Sequence, residues 1–399
     1  MASADVRHLG PGANQQGLRD HNARLLLSTL QRRGPMPASD LARLAGLSPQ
    51  TVSVILRSLD ADGLVARGEP QRGRIGKPSV PVSLAPDGAF AFGLKIGRRS
   101  ADLLLVDFAG RLRGERHTTY RWPEPDEILR FLREGLGSLR QDLPEPWLDR
   151  IAGIGVAMPS EIWHWHETIG APLGALDAWR GFDLVQAVGE FCDLPVLMAN
   201  DGTAAARAEH IFGRGREFGA YAYFFVGSFI GGGIVLNHSV VEGPTGNAAA
   251  FGSLPAPGPG GRCRQLIETA SLFLLEEAIR RADLPAERLW AQPQDWSVFG
   301  AILERWITHT AGEIARAAVT VCAVIDFEAV LVDGAMPAEV RTALVAQSRT
   351  ALKRFDMRGL APVRIEEGTI GAPARALGAA AAPLLARHLL DTHAGAPFA

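Results

Sequence analysis

Apolar residues first recur at helical spacing over residues 22–33, where Leu25, Leu26, Leu27 and Leu30 gather on one face and Gly34-Pro35 ends the run. Leu41 and Leu44 mark a short second helix over residues 40–45, with Ser39 expected as its N-cap and Gly46 as the turn. Ser48 is expected to cap a third helix from Pro49 to about Asp62, burying Val52, Ile55, Leu56 and Leu59. Two short strands, residues 64–66 and 80–84, flank a glycine- and arginine-rich link. Beyond Asp87-Gly88 the pattern changes. Strands are expected at 92–97, 103–108, 151–157 and 196–198, with helices at 127–139 and 204–210. The run YAYFFVGSFIGGGIVL predicts a strand, a glycine-rich turn carrying Gly227, Gly231, Gly232 and Gly233, and a second strand. The rest is mainly helical (270–282, 298–322, 338–351), with strands at 329–333 and 363–365 and an apolar helix near 370–389 that packs back on the earlier strands.

The first three helices form the pattern of a helix-turn-helix: a short helix, a tight glycine turn and a capped second helix. In that reading Ser48, Gln50, Thr51 and Ser53 open the recognition helix, and Arg72, Arg74 and Lys77 stand on a basic wing between the two strands. The alternative is a three-helix interaction domain whose arginines are only solvated.

Charge supports the first reading. Through Pro86, eleven arginines and lysines oppose six acids, giving +5, so the remainder carries −7 to reach the chain's net −2. A basic head on an acidic body suits a polyanion-binding module. At 399 residues, two or three domains are expected: a flexible arm over 1–18, a DNA-binding domain over 19–86 and an α/β body over 87–399. Cys192, Cys263 and Cys322 are scattered and odd in number, which argues against a disulfide framework. With no long apolar run and no secretory leader pattern, a cytoplasmic location is expected.

The centre of the body carries ANDGTAAARAE, VGSFIGGGIV and GPTGNAA, preceded by GIGVAMPS at residues 153–160. Together these resemble the ROK family of bacterial sugar kinases and sugar-responsive repressors, over about residues 89–386. The head resembles the winged helix-turn-helix of MarR-type and ROK-type regulators. The resemblance implies an α/β fold: an N-terminal winged helix-turn-helix followed by a two-lobed actin/hexokinase-like ATPase fold. It implies a ligand site at Asn200, Asp201, Gly231, Gly232 and Glu268, between the lobes. In the kinases the Asp matching Asp201 takes the sugar hydroxyl's proton; here Asp201 could bind without catalysing, or cap the helix that follows. Trp179 and Phe182 fall where the family has aromatics near the sugar, and a structural role fits them equally.

Several positions depart from the kinases. The Asp of the first hairpin is replaced by Lys95, followed by Arg98-Arg99, which removes the metal support that phosphoryl transfer needs. A sugar-contacting Glu and a zinc-binding His become Ala250 and Ser253, and one cysteine, Cys263, stands for the zinc cluster. The expectation is a transcriptional regulator, a repressor in character, without catalytic residues, metal or cofactor. Its partners would be double-stranded DNA, a carbohydrate-like effector and a second copy in a homodimer or homotetramer. The alternatives are a sugar kinase with an accessory DNA head and a DNA-binding dimer that ignores ligand. The alternating Ile162-Trp163-His164-Trp165-His166 would place histidines on one face of a strand as ligands, or belong to a surface loop packed by aromatics.

Overall fold

The computed structural model describes residues 15–70, 80–165, 171–258, 263–291 and 293–390. The head opens with α1 (Gln15–Arg33), so residues 15–18, assigned above to the arm, are helical. After β1 (Met36–Pro37) come α2 (Ala38–Ala45) and α3 (Pro49–Ala61). Gly46 adopts φ +66°, a left-handed value that glycine takes without a side-chain clash, and its N–H closes the end of α2. Ser39 does not cap α2. The helix starts one residue before it, and Pro37 holds the cap position without a side-chain hydrogen bond. Leu41 is buried, whereas Leu44 is 47% exposed. The inner stripe of α2 runs through Ala38, Leu41, Ala42 and Ala45, which leaves Leu44 at its solvent edge. Strands β2 (Val65–Arg67) and β3 (Pro81–Leu84) complete a three-stranded sheet in the order β1-β3-β2.

The body consists of two sheets with one topology. In the first, β4 (Phe90–Ile96), β5 (Ser100–Asp107) and β6 (Leu112–Thr119) form an antiparallel meander. Helices α4 (Pro125–Gln141) and α5 (Glu145–Leu148) lead to β7 (Ile151–Met158), and α6 (Leu184–Gly189) leads to β8 (Val196–Asn200). The order is β6-β5-β4-β7-β8, with β4, β7 and β8 parallel. Helix α7 (Asp201–Phe212) crosses to the second lobe. There β9 (Tyr221–Val226), β10 (Ile230–Leu236) and β11 (Ser239–Val241) form the second meander. A small hairpin, β12 (Pro255–Pro257) with β13 (Cys263–Gln265), and helices α8 (Leu272–Arg281) and α9 (Gly300–Val324) follow. Strand β14 (Ala329–Gly334), α10 (Ala338–Leu352) and β15 (Ile365–Glu367) complete a sheet ordered β11-β10-β9-β14-β15. The last helix, α11 (Ala374–His388), returns to the first lobe, as expected.

Side-chain alternation explains how the layers stack. Along β4, Phe90, Phe92, Leu94 and Ile96 face one core beneath α4, while Ala89 and Ala91 face α11. Glycines let α11 lie directly on the sheet. A Cβ at Gly155 would fall 1.8 Å from Ala379 O, and one at Gly93 would fall 2.1 Å from Ala376 O. The head shares this second core: Leu26, Leu27, Val52 and Leu56 form one cluster with Ala376, Ala380, Leu384 and Leu389.

Three expectations change on the fold. Gly231, Gly232 and Gly233 lie within strand β10, and only Gly227 belongs to the turn. Gly233 serves a close crossing with α7, where a Cβ would meet Ala206 Cβ at 2.4 Å and a Cβ at Gly202 would meet Gly232 O at 2.4 Å; a Cβ at Gly232 itself would meet Tyr223 O at 2.2 Å. The histidine–tryptophan stretch forms a 3-10 turn at Ile162–Trp165, so the strand alternation is not expressed; His166 lies outside the described residues. The strand expected at 363–365 is shifted to Ile365–Glu367.

Candidate functional site

In the head, the buried face of α3 is the one the spacing predicts: Val52, Ile55, Leu56 and Leu59. Its opposite face exposes Gln50, Ser53, Val54 and Arg57, a continuous stripe at helical spacing. Val54 and Arg57 were missed in the sequence, although they alternate with the buried set. Ser48 is committed to structure. Its hydroxyl accepts the Thr51 N–H at 3.1 Å and bonds the Thr51 hydroxyl at 2.8 Å. Arg72, Arg74 and Lys77 lie outside the described residues.

The cleft between the lobes is a cavity of about 270 Å³. It is small beside the roughly 300–1,000 Å³ of drug-sized pockets and suits a single small ring. Asn200 and Asp201 sit where β8 passes into α7, at the carboxyl end of the parallel strands. The cap of α7 is Asn200: its Oδ1 accepts the Gly202 N–H at 2.9 Å, and its Nδ2 donates to Ser160 Oγ at 3.1 Å. Ser160 in turn reaches Asn247 Oδ1 at 3.4 Å, across the cleft. Asp201 is thereby relieved of capping. Its carboxylate faces Arg375 Nη1 at 3.4 Å, in the first turn of α11, and that guanidinium also lies 4.9 Å above the Phe225 ring. Arg375 was missed in the sequence; its signal is a lone cation in the first turn of an Ala-rich helix.

Gly231 lines the cleft with open space at its Cβ position, and Gly232 lines it with backbone. Glu268 does not turn into the cleft. Its carboxylate accepts the Gln265 N–H at 2.9 Å, closing a capping box on the short turn Leu266–Glu268, and the cleft wall there is Gln265 and Ile267. Ala250 and Ser253 do line the cleft. An adjoining cavity of about 580 Å³ shares Ser160 and Asn200 and includes Trp179 and Phe182. Trp179 also donates to Pro123 O at 2.9 Å and meets Phe182 edge-on.

The turn between β4 and β5 is dominated by cations. Lys95 is buried; its ammonium donates to Ser100 Oγ at 2.8 Å, Ser100 O at 3.2 Å and Asp102 Oδ2 at 2.9 Å. Burial, and then the nearby Arg375, pull its pKa down to about 8 against the opposing pull of Asp102. Arg99 and Arg98 reach from this turn to Glu276 on α8, at 2.8 Å and 3.8 Å, and Arg280 also binds that carboxylate. The first lobe is therefore tied to the second by ion pairs. Asp333, at the end of β14, is fully buried and structural: it accepts from Tyr223, Arg341 and the Gly371 N–H.

Comparison with known proteins supports these two parts. The MarR family matches residues 17–75 and the ROK family residues 91–267. An uncharacterized protein of Sinorhizobium fredii, y4fQ, is 25% identical over 91% of this chain and 90% of its own length. The xylose repressor of Bacillus subtilis is 22% identical over 63% of this chain. The dual regulator NagC of Escherichia coli is 24% identical over 61% of it. The matched stretches span 64% of the xylose repressor and 59% of NagC. Among solved structures, a ROK family transcriptional regulator described as a homolog of the E. coli MLC protein superposes with TM-score 0.64 at 18% identity, covering 93% of this chain and 97% of its own. A ROK family glucokinase from Streptomyces griseus, in complex with glucose and AMPPNP, gives 0.58 at 19%, covering 73% and 98%. The fold is thus common to regulators and kinases. The chain joins a MarR-type winged-helix domain to a ROK family domain of the two-lobed actin/hexokinase-like fold.

Proposed function

We propose that this chain is a DNA-binding transcriptional repressor that answers to a sugar or sugar-derived molecule held between its lobes, and that it does not phosphorylate that molecule. The observation that carries the reading is the joining of a capped, outward-facing recognition helix to a ROK-type cleft in one chain. Relatives named as a xylose repressor and as the regulator NagC support it.

Chemistry in the cleft agrees. A general base must stand within hydrogen-bond reach of a hydroxyl and be ready to accept its proton. Asp201 instead faces the Arg375 guanidinium at 3.4 Å, which occupies one of its carboxylate oxygens and suits it to binding. Phosphoryl transfer needs a metal held near the phosphates. Lys95, Arg98 and Arg99 occupy the hairpin that resembles the phosphate turn, and their charges are met by Asp102 and Glu276. Asn200, Asp201, Asn247, Gln265 and the open backbone at Gly231 supply donors and acceptors suited to a polyol.

The DNA contacts assigned to this reading are Gln50, Ser53 and Arg57 in the major groove, and Arg72, Arg74 and Lys77 on the phosphates. Two heads are needed to read two half-sites, so a homodimer or homotetramer in the cytoplasm is part of the proposal. No helix among the described residues is long and apolar enough to cross a membrane. Fluorescence anisotropy on the DNA upstream of the chain's own coding sequence tests the reading. Binding should weaken steeply with salt and be lost in an Arg72→Ala/Arg74→Ala variant. Affinity equal to that for random DNA at every salt concentration would refute it.

A further inference from the structure

Two helices span the distance between the cleft and the head. Helices α7 and α11 both begin at the cleft, where Asp201 and Arg375 face each other at 3.4 Å. Both end at α1. Arg24 of α1 donates to Leu385 O at 3.0 Å, Ala386 O at 2.9 Å and Leu389 O at 2.9 Å, adding side-chain donors to the carbonyls at the end of α11. Ser28 accepts the Leu390 N–H at 2.8 Å, and Gln31 donates to Ile211 O at the end of α7. Fifteen residues of α11 cover about 22 Å at 1.5 Å per residue.

The two helices touch almost without side chains. A Cβ at Gly378 would lie 1.6 Å from Ala204 O, so the backbones are in direct contact. Against the sheet, α11 is seated equally closely over Gly93 and Gly155. Arg207 of α7 donates to Gly378 O at 3.5 Å and is ion-paired with Glu242 of the second lobe. At Gly378 and Ala204, and where α11 crosses Gly93 and Gly155, backbone lies on backbone, with no side chain between to absorb a small displacement. A shift at one end is therefore passed along the helix, through the turn that carries Pro383, rather than absorbed by side chains.

We propose that α7 and α11 are paired struts that carry occupancy of the cleft to the DNA-binding head, with Arg375 as the sensing residue at one end and Arg24 as the coupling residue at the other. The inference rests on the effector reading of the cleft given above. A hydroxyl that donates to Asp201 competes with Arg375 for the same carboxylate. Releasing or re-aiming that guanidinium displaces the first turn of α11, and Arg24 passes the displacement to α1. Leu26, Leu27 and Leu30 of α1 pack in one core with Val52, Ile55 and Leu56 of α3, so the recognition helix follows.

Hydrogen exchange on the full chain tests the coupling without a ligand or DNA. Arg375→Ala should raise exchange at residues 374–378 and also at 385–390 and along α1, by about fivefold or more, as expected when local opening becomes easier by about 1 kcal/mol. Arg375→Lys, which keeps the charge but not the fork, should give a smaller rise at the same places and serves if the alanine variant does not fold. Changes confined to the cleft segments in both variants would overturn the proposal. In the second arm, Arg24→Ala should keep DNA affinity while losing its response to D-xylose, N-acetylglucosamine or whichever probe sugar releases the wild type. A full response in Arg24→Ala would also overturn it. If the chain binds neither DNA nor sugar, the function proposed above fails, while exchange at α1 still decides whether the struts couple.

Discussion

The two halves of the cleft share one scaffold and differ in what holds them. On the side of Asn200, Asp201, Asn247 and Gly231, polar groups are linked by single hydrogen bonds, and space remains between the lobes. On the side of the β4–β5 turn, Arg98 and Arg99 are drawn onto a nearly buried Glu276 of the opposite lobe. On the proposed reading, the first half binds a polyol. In the second, the protein's own ion pairs join the lobes at the hairpin that resembles the kinases' phosphate turn. On the proposed reading, a kinase scaffold becomes a sensor by exchanging a metal-and-phosphate bridge for an arginine–glutamate bridge, while keeping the sugar side open.

The most severe way to break this contrast is Glu276→Ala. It strands Arg98, whose side chain is only 9% exposed, without its counter-ion. Removing one partner of a buried ion pair costs about 3–5 kcal/mol. Urea unfolding should register a loss of that order, and a loss below about 1 kcal/mol would mean the bridge is superficial. Substitution on the open side should leave the fold intact and remove the ligand effect. A sugar at about one hundred times its dissociation constant stabilises the native state by about 2.7 kcal/mol. Asp201→Asn should lose most of that gain in a melting experiment; an undiminished gain would take Asp201 out of the site.

A smaller effect concerns the far end of α11. Burial, and then the neighbouring Arg387 and Arg24, push the His388 pKa down from 6.5 to about 4. Between these values the unfolded chain binds a proton that the folded chain refuses. Stability therefore falls as pH drops from about 6.5 toward 4, by at most about 1.4 kcal/mol per pH unit, and this contribution is constant above 6.5. His388→Phe should flatten the slope in acid denaturation, and an unchanged slope would assign it to other groups. The smallest change is Ser48→Ala, which removes the cap of α3. It should cost about 1 kcal/mol by thermal melting and weaken DNA binding through a frayed first turn.

Much of this architecture was legible in the sequence, because its signals are local. Leucine spacing, Gly46, and Ser48 followed by Pro49 place α3 and its buried face, and Asn200-Asp201 after an apolar run marks the end of a strand. The remainder depends on contacts between distant segments. Gly231, Gly232 and Gly233 suggest a loop that cradles a ligand; the third admits α7 at close distance, and the second leaves room for Tyr223 O and the Phe251 ring. Nothing near Glu268 in the chain shows that it will turn onto its own cap. Arg375 lies 174 residues from Asp201, and Arg24 lies 365 residues from Leu389. Spacing along one chain does not reveal such pairs. The matching strand order of the two lobes was likewise hidden, since topology is preserved without any sequence repeat.

The most direct test follows DNA release and sugar chemistry in one reaction. The protein, bound to a fluorescent fragment of its upstream DNA, is titrated with a panel of sugars, with and without magnesium and ATP, and each sample is then analysed for phosphorylated sugar. The account predicts that one sugar releases the DNA at the same concentration whether or not ATP is present, and that no sugar phosphate forms. ATP-dependent phosphorylation that disappears in Asp201→Asn would contradict it and show that the cleft works as an enzyme.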